Sequence, residues 1–377
     1  MTTTKNNEHK NIKVPNLRFP EFQGEWEKTK FGDIAVVVGG GTPDTNTSQY
    51  WNGKIQWFTP SEIGRNKYVY NSVRTISEEG LNKSSAKLLP IGTILLSSRA
   101  TVGECSINKK ECTTNQGFQS LIPKENISNE FVYYLIQTKR KDLIRKSCGS
   151  TFLEISANEV RKIVVSIPTI KEQDKIAKLL SLLDERISTQ SKIIDKLQSL
   201  IKGITQRIVR SNKPNVRLTE CLECKSSTLQ ESDVCEHGTY PVYGANGIVG
   251  YLDNYNTEGE AVYIIKDGSG VGTVSYVTGK CSATGTLNTL QAKEDYSLQY
   301  IYYLLKVFSF EPYKTGMAIP HIYFKDYGKA KVFCPSYTEQ LQYARLLSAI
   351  DNKLSVEKNI LTSLSLQKQY LLRQMFI

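Results

Sequence analysis

Two stretches of the chain place apolar residues at alternating spacings of three and four, the pattern of a helix that pairs with another helix in a coiled coil. The first stretch spans residues 176–208 and the second spans residues 343–375. A polar residue stands at the same repeat position of both, Gln190 in the first and Glu357 in the second. The pattern therefore predicts two long helices, and each is the obvious partner of the other.

We expect the two helices to pair in opposite directions. A parallel pair would require the intervening segment to carry the chain back along a helix of about 60 Å, given a rise of 1.5 Å per residue, whereas an antiparallel pair needs no return. Gln190 lies close to the centre of its helix, so in an antiparallel pair it would meet Glu357 and help to fix the register. The alternative, in which each helix packs on its own globular segment, stays open at this stage.

Short apolar runs separated by Gly, Asn, Pro and Ser precede each long helix, as expected of strands joined by turns. Before the first helix the runs are IQWFT, KYVY, GTILLSS, ECSINK and FQSLIP, followed by a helix at about 129–146 and a shorter one at about 157–162. Before the second helix they are YPVYG, GIVGYLD, EAVYIIK, GTVSYVTG and TLNTLQA, followed by a helix at about 298–308. Both segments are therefore predicted to be α/β units with sheets of short strands.

The chain contains this arrangement twice. Residues 168–210 align without a gap to residues 335–377, at an offset of 167, and a fixed offset of this size indicates a duplicated domain rather than a short repeat. Farther upstream, residues 133–135 match residues 302–304 at an offset of 169. The expected fold class is α+β, with two similar α/β units joined by two long helices that form an antiparallel coiled coil with pseudo-two-fold symmetry. The domain limits that follow are a polar tail at 1–16, a first unit at 17–167, a first helix at 168–211, a second unit at 212–334 and a second helix at 335–377.

The charge balance points to a polyanionic partner. The chain of 377 residues carries a formal net charge of +11, and nucleic acid is the first candidate because lysine and arginine that neutralise phosphates supply most non-specific binding energy. No apolar run approaches the roughly 18 residues that a membrane-spanning helix needs, and the start of the chain lacks the apolar core of a signal peptide. We therefore expect a cytoplasmic location and no membrane partner.

Candidate chemical sites in the chain are weak. The eight cysteines are scattered, which fits reduced thiols better than a disulfide framework. Cys221 and Cys224, with Cys235 and His237 downstream, form an irregular zinc pattern; the alternative is a helical turn with one inward-facing cysteine. The Gly268–Gly272 run opens no predicted helix and is typical of a tight hairpin rather than a nucleotide loop. No catalytic residue and no metal ligand are predicted, although an enzyme with a zinc or nucleotide site at these segments remains an alternative.

Several short motifs nevertheless resemble one known family. The chain opens with NLRFPEFQGEWEKTKFGDI, contains SSRATVG, NQGFQSL and GSTFLEIS, and twice ends a globular unit in IP or CP before a helix that carries EQ. In this it resembles the specificity subunit of a type I restriction-modification enzyme over essentially its full length. The resemblance implies two target recognition domains that each read one half of a bipartite asymmetric DNA site, and paired spacer helices that set the gap between the halves.

The resemblance also implies the partners. Two methyltransferase (M) subunits would dock on the paired helices, and restriction and translocase (R) subunits would join through them. S-adenosylmethionine, ATP and Mg would then be bound by those partner subunits, with no cofactor on this chain, which would supply DNA recognition and no chemistry of its own. A free-standing sequence-specific DNA-binding regulator is the alternative reading.

Motif matching also predicts the residues that face DNA. Arg99, in SSRATVG, is the strongest candidate because a guanidinium can bridge phosphate or grip guanine. In the second unit the same loop reads KDGSGVG, which puts Lys266 and Ser269 in the corresponding place without an arginine. The predicted set in the first unit is Ser61, Arg65, Lys83, Ser98, Arg99, Thr101, Asn115 and Gln116. The predicted set in the second unit is Tyr243, Asn246, Lys266, Ser269, Thr284, His321 and Tyr323.

Overall fold

The computed structural model describes residues 13–149 and 153–377. Most of the polar tail predicted at 1–16, and three residues of the GSTFLEIS motif, lie outside this range. The chain divides into two compact units: the first comprises the residues up to Ser188 together with Thr362–Ile377, and the second comprises Thr189–Leu361. Within the described ranges, no helix is both long and apolar enough to cross a membrane.

In residues 13–149 and 153–188, the first unit has ten short strands and five short helices, followed by a long helix that continues into the second unit. The elements are β1 (Glu27–Lys30), α1 (Phe31–Ile34), β2 (Ala35–Gly39), β3 (Trp51–Phe58), β4 (Tyr68–Val69), β5 (Arg74–Ile76), α2 (Glu78–Asn82), β6 (Ile94–Leu96), β7 (Cys105–Asn108), β8 (Cys112–Thr114), β9 (Gln119–Pro123), α3 (Asn129–Thr138), α4 (Arg140–Arg145), α5 (Ala157–Lys162), β10 (Val164–Ile167) and α6 (Ile170–Arg210).

Two sheets carry the framework of the first unit. One has the order β2-β9-β6-β7-β4 and the other β5-β3-β8, and a two-stranded pair β1-β10 lies at the start and end of the globular part. Helix α3 is buried along residues 131–136 because that run is apolar or aromatic on every side. Its side chains join those of β6, β9 and the start of α6 in the main core.

The second unit has nine strands, three short helices and the second long helix. The elements are β11 (Val216–Arg217), α7 (Leu218–Cys221), β12 (Leu222–Ser226), β13 (Tyr240–Gly244), β14 (Gly247–Leu252), β15 (Ala261–Ile265), β16 (Val274–Val277), β17 (Ser282–Ala283), β18 (Leu287–Ala292), α8 (Leu298–Val307), α9 (Phe324–Tyr327), β19 (Lys331–Val332) and α10 (Tyr337–Gln374).

The second unit repeats the topology of the first. Its larger sheet has the order β12-β18-β15-β16, its smaller sheet the order β14-β13-β17, and the pair β11-β19 lies at its start and end. In both smaller sheets the central strand has one antiparallel and one parallel neighbour. Helix α8 packs on the larger sheet as α3 does in the first unit. The expected α+β class with two similar units is therefore confirmed.

The long helices run in opposite directions where they pack inside the first unit. Asp184 of α6 forms an ion pair with Lys368 of α10 at 2.7 Å, and Ile176, eight residues earlier, shares a core with Met375, seven residues later. The contacts therefore move toward the N-terminus of α6 as they move toward the C-terminus of α10. The predicted antiparallel pairing thus holds in this unit.

Inside the second unit the two helices pack through their predicted apolar positions. Ile194 and Ile201 of α6 share a buried cluster with Leu347 and Leu354 of α10. Gln190 Nε2 donates to the backbone oxygen of Glu357 at 3.0 Å and to its carboxylate as well. The two polar residues of the apolar pattern therefore meet, as an antiparallel pair requires.

Each long helix is attached to its globular part by one buried glutamine. Gln173 accepts a hydrogen bond from the Ser128 N–H at 3.0 Å and donates to the Pro168 carbonyl at 2.9 Å. Gln340 repeats both bonds, with the Ser297 N–H at 2.9 Å and the Pro335 carbonyl at 2.9 Å. The glutamine of each EQ motif is thus explained by one clamp, used twice, between the long helix and the start of α3 or α8.

One predicted helix is wrong in its extent. The sequence predicts a single helix at about 129–146, but α3 ends at Thr138 and α4 begins at Arg140. The Thr138 hydroxyl donates to the Leu135 carbonyl at 2.8 Å, and Lys139 adopts a non-helical conformation between the two helices. A threonine hydroxyl that takes a backbone acceptor competes with the helical ladder, which accounts for the break. The helices predicted at 157–162 and 298–308 are found at Ala157–Lys162 and Leu298–Val307.

Candidate nucleic-acid interface

In the first unit, hydrogen bonds join several loops that follow strand ends into one surface. The Asn115 N–H donates to the Phe58 carbonyl at 3.1 Å, Ser98 N–H to Gly117 at 2.8 Å, and Ile155 N–H to Ser98 at 3.0 Å. These bonds connect the ends of β3, β6 and β8 to the chain after α4. We call this surface the first loop face, formed by residues 40–47, 59–65, 72–74, 83–86, 97–103, 115–117 and 153–155.

Two glycines let the loop after β2 pack tightly into this surface. A Cβ on Gly40 would lie 2.1 Å from the Asn115 carbonyl oxygen, and one on Gly41 would lie 2.2 Å from the Ser85 hydroxyl. The next residue, Thr42, donates its hydroxyl to Gln116 Oε1 at 2.6 Å. The Gly-rich sequence therefore serves close backbone packing.

The predicted residues of the first unit differ in exposure. Arg99 and Asn115 are half-buried, and Ser98 is fully buried beneath the surface. A buried side chain cannot reach a duplex without rearrangement, so Ser98 supports the face through its backbone bonds instead of forming its surface. The exposed members of the set are Ser61, Arg65, Lys83, Thr101 and Gln116.

Arg99 lies on a tight turn and is ion-paired. Its Nε is 2.8 Å from Glu154 Oε1, and both side chains are close to half exposed. The turn places Ala100 at φ +56° and Gly103 at φ +88°, and the Thr101 hydroxyl donates to Ser97 at 3.0 Å. The guanidinium is thus held at the surface, but its charge is partly balanced by the carboxylate.

The second unit builds a matching surface from the corresponding loops. The Thr284 N–H donates to the Tyr243 carbonyl at 2.9 Å, Lys266 N–H to Thr286 at 3.0 Å, and Ile322 N–H to Lys266 at 3.0 Å. These bonds repeat those of Asn115, Ser98 and Ile155 in the first unit. We call this surface the second loop face, formed by residues 227–230, 243–248, 266–272, 284–286 and 315–323.

The predicted residues of the second unit also fall at different depths. Asn246, Ser269 and Tyr323 are exposed, whereas Thr284 is buried and bonds through its hydroxyl to Thr286 at 2.8 Å. Thr284 therefore supports the surface, as Ser98 does in the first unit. The half-buried members are Tyr243, Lys266 and His321. The phenol of Tyr243 is an ordinary neutral donor at neutral pH, and burial raises its pKa further.

The repeated hydrogen bonds also show which residues of the two faces correspond. Because Lys266 repeats the bonds of Ser98, the residue in the place of Arg99 is Asp267. Strand pairing agrees, since Arg99 faces Glu154 in the first unit and Asp267 faces His321 in the second. At this bridged pair of positions, an arginine and a glutamate are thus replaced by an aspartate and a histidine. Ser269 lies in a loop one residue longer than that of the first unit.

The sequence patterns missed one exposed cation of the first loop face. Arg74, at the start of β5, lies with its guanidinium carbon 3.5 Å from the centre of the Trp51 ring. Nothing in its local sequence, SVRTI, distinguishes it from any strand arginine. Arg74 meets Trp51 and Trp57 because β3 pairs with β5. This pairing is a tertiary feature, which the periodicity of the sequence does not predict.

The cysteine pattern does not assemble a site. Cys221 is buried, and its high pKa is due first to a hydrogen bond with Cys334 and then to burial. Cys224 lies on β12, while Cys235 and His237 are exposed. Across residues 13–149 and 153–377, no three His, Cys, Asp or Glu side chains are grouped to hold a metal ion. The Gly268–Gly272 segment is the turn between β15 and β16.

Known proteins share both the sequence and the fold. The family described as type I restriction modification DNA specificity domain matches residues 23–199 and again residues 211–366. The MjaIX specificity subunit of Methanocaldococcus jannaschii, of a type I restriction enzyme, is 39% identical over 180 residues, or 46% of this chain and 42% of the relative. The chain thus spans less than half the length of that relative.

A second relative and a solved structure are similar over more of the chain. The EcoprrI specificity subunit of Escherichia coli, also of a type I restriction enzyme, is 24% identical over 361 residues, or 87% of this chain and 88% of the relative. The S subunit of a type I restriction-modification system from M. genitalium has the same fold, with a TM-score of 0.66 at 19% identity over 97% of this chain and 99% of that one. With both units matched, the chain belongs to the family of type I restriction modification DNA specificity domains.

Proposed function

We propose that this chain recognises a bipartite, asymmetric DNA site, with one half read by each loop face. The observation that carries the proposal is that the two units share a backbone framework and differ in the side chains on it. The same hydrogen bonds hold Ser98 and Lys266, yet Arg99 is replaced by Asp267. Two units with the same framework and different surface side chains are suited to recognise two different half-sites.

The net charge supports DNA as the partner. A formal charge of +11 favours binding to the phosphate backbone, which is strong but carries no sequence information. Sequence would be read by loop side chains that reach base edges. As a specificity subunit the chain supplies this recognition and is not an enzyme by itself.

We propose further that two methyltransferase subunits dock on the long helices. In the first unit Leu182 and Leu366 are exposed on these helices, and in the second unit Ile193, Leu346 and Val356 are exposed. Exposed apolar residues on a helix that already has a partner are typical of a further protein contact. S-adenosylmethionine, ATP and Mg would be held by those subunits and by the restriction subunits that join them, in the cytoplasm.

A footprint of the chain on DNA, with and without its methyltransferase, tests the proposal. When the methyltransferase is present, we expect two separately protected DNA segments with an unprotected gap of fixed length between them. Complete protection of one continuous segment by the chain alone would instead favour a free-standing DNA-binding regulator. A native mass measurement of the complex gives the stoichiometry, which we expect to be one chain to two methyltransferase subunits.

A further inference from the structure

Arg74 occupies a built aromatic site on the first loop face. Its guanidinium carbon lies 3.5 Å from the centre of the Trp51 ring and 5.6 Å from that of Trp57. The two indoles meet edge to face, with ring centroids 5.1 Å apart and planes at 89°. A guanidinium that lies flat on an indole is held in one plane, and its N–H edge is left free to donate.

The platform under Arg74 is itself fixed to the Gly-rich loop. Trp57 Nε1 donates to the Gly41 carbonyl at 2.9 Å, and Trp51 Nε1 donates to the Asp44 carbonyl at 3.0 Å. Both indoles are almost fully buried. The loop, the two rings and the arginine therefore form one rigid group on the surface.

The backbone of Arg74 is held at the edge of this surface. The Ser72 hydroxyl donates to the Arg74 carbonyl at 2.6 Å, and the Val73 N–H donates to Glu62 Oε1 at 2.6 Å. Arg74 also pairs with Trp57, the residue just before Phe58, whose carbonyl accepts from Asn115. Arg74 thus lies beside the loops that carry Ser61 and Asn115.

The guanidinium of Arg74 differs from that of Arg99 in its ion pairing. Within the part of the chain that the structure describes, no carboxylate forms an ion pair with Arg74, in contrast to the Arg99 pair with Glu154. The carboxylates of the adjacent loops are occupied by local bonds: Asp44 accepts from Asn46 and Thr47, and Glu62 from Thr59 and Val73. These bonds to Asn46 and Thr47 also hold the pKa of Asp44 below its ordinary value.

The second unit has no equivalent cation at this place. Phe58 and Tyr243 occupy the same position, since each carbonyl accepts from the loop after the parallel strand. The residue before Tyr243, Val242, pairs with Gly250, so Gly250 stands where Arg74 stands in the first unit. A Cβ on Gly250 would lie 2.5 Å from the Cys235 carbonyl oxygen. Val234 and the Cys235 backbone therefore leave no room for a side chain at this position in the second unit.

We propose that Arg74 reads a guanine in the half-site of the first unit, by donating two hydrogen bonds to the O6 and N7 atoms of the base in the major groove. This inference rests on the proposed function and adds a residue and a base to it. Arginine is suited to this task because its two parallel N–H groups match the two acceptors of guanine. Lysine keeps the charge but not that geometry.

Selection from a library of DNA duplexes with random bases tests the inference, using the full chain assembled with its methyltransferase. We expect the wild-type complex to enrich a bipartite motif. Arg74→Lys should lose preference for guanine at one base pair of one half by roughly 5- to 150-fold, the discrimination that a bidentate pair supplies, and should leave the other half unchanged. Arg145→Lys, at an exposed arginine on α4 outside both the loop face and the long helices, is the matched control and should leave the motif intact.

Two results would overturn the inference while leaving the proposed function in place. One is an unchanged motif for Arg74→Lys and Arg74→Gln. The other is a uniform loss of affinity for all sequences, which would make Arg74 a phosphate contact. Thermal unfolding of each variant identifies a loss of DNA affinity that comes only from a less stable fold, since such a variant has a lower Tm and an unaltered motif. Failure of the wild-type complex to select any motif would instead contradict the proposed function.

Discussion

At the scale of single residues, the repeat preserves the sites that hold the framework together. The glutamines of the two EQ motifs make the same two hydrogen bonds. The glutamates beside them do not: Glu172 accepts from Arg18 and Trp26, whereas Glu339 accepts from the Ser336 backbone and hydroxyl as in a helix capping box. Identity at two aligned positions therefore indicates equal roles only where the surroundings are also repeated.

Replacing Gln340 by leucine should destabilise the second unit. The side chain is 1% exposed, and its loss leaves the Ser297 N–H and the Pro335 carbonyl without partners, which costs about 1–3 kcal/mol of the free energy of unfolding. Urea unfolding followed by circular dichroism measures the change. Gln342→Leu, at an exposed position of the same helix, is the control, and equal stability of the two variants would contradict the clamp.

The Glu357 carboxylate should stabilise the helix pair only while it is ionised. Hydrogen bonds from Lys353 and then Gln190 hold the pKa of Glu357 below its ordinary value. Its contribution is therefore complete above the unfolded glutamate pKa of about 4.3 and is lost as the pH falls through the lower pKa of the folded state.

We thus expect Glu357→Gln to lower Tm at neutral pH, and the difference from wild type to shrink as the pH falls below about 4.3. Thermal unfolding followed at 222 nm over a pH series gives this difference directly. Glu236→Gln, at an exposed loop position, should show almost no difference at any pH. A Tm difference between Glu357→Gln and wild type that is independent of pH would show that the ionised carboxylate does not stabilise the helix pair.

Thiol reactivity should separate the exposed cysteines from the buried ones. Cys148 and Cys235 are exposed, whereas burial raises the pKa of Cys112 to about 12 and also raises that of Cys105. We expect a maleimide to label Cys148 and Cys235 first in the native protein, as read by peptide mass mapping. Labelling of Cys105 at the same rate would show that the main core of the first unit opens readily.

At the scale of elements, the sequence predicts the long helices best. Their apolar seam extends over many turns, so the pattern predicts the helices and their pairing. The antiparallel direction follows from the connection between them, and the meeting of Gln190 with Glu357 follows from that direction. Short strands such as β3 and β13 are also predicted, because apolar runs are bounded by turn residues. The exact domain limits stay predictions.

The parts that sequence could not supply depend on contacts between distant segments. The burial of Ser98 and Thr284, the Arg99 pair with Glu154 and the stacking of Arg74 on Trp51 all arise where separate loops meet. Local sequence reports none of these contacts, since each is made by strand pairing across many residues. Motif matching for this reason does not distinguish buried from exposed members of the DNA-facing set, and the roles of its exposed members stay predictions.

At the scale of the whole molecule, duplication is consistent with the proposal that one chain specifies an asymmetric site. The framework bonds are repeated, whereas the surface side chains differ: Arg99 against Asp267, Glu154 against His321, and Arg74 against Gly250. A repeated framework gives two binding faces of equal construction. Under the proposed function, different side chains on these faces would make the two half-sites unequal.

The proposed recognition of a bipartite asymmetric site is tested most directly by mapping methylated adenines in DNA from cells that carry the methyltransferase with and without this chain. We expect one methylated motif with two different short halves separated by a fixed gap, present only when the chain is present. A continuous or palindromic motif, or the same methylation in cells that lack the chain, would contradict it.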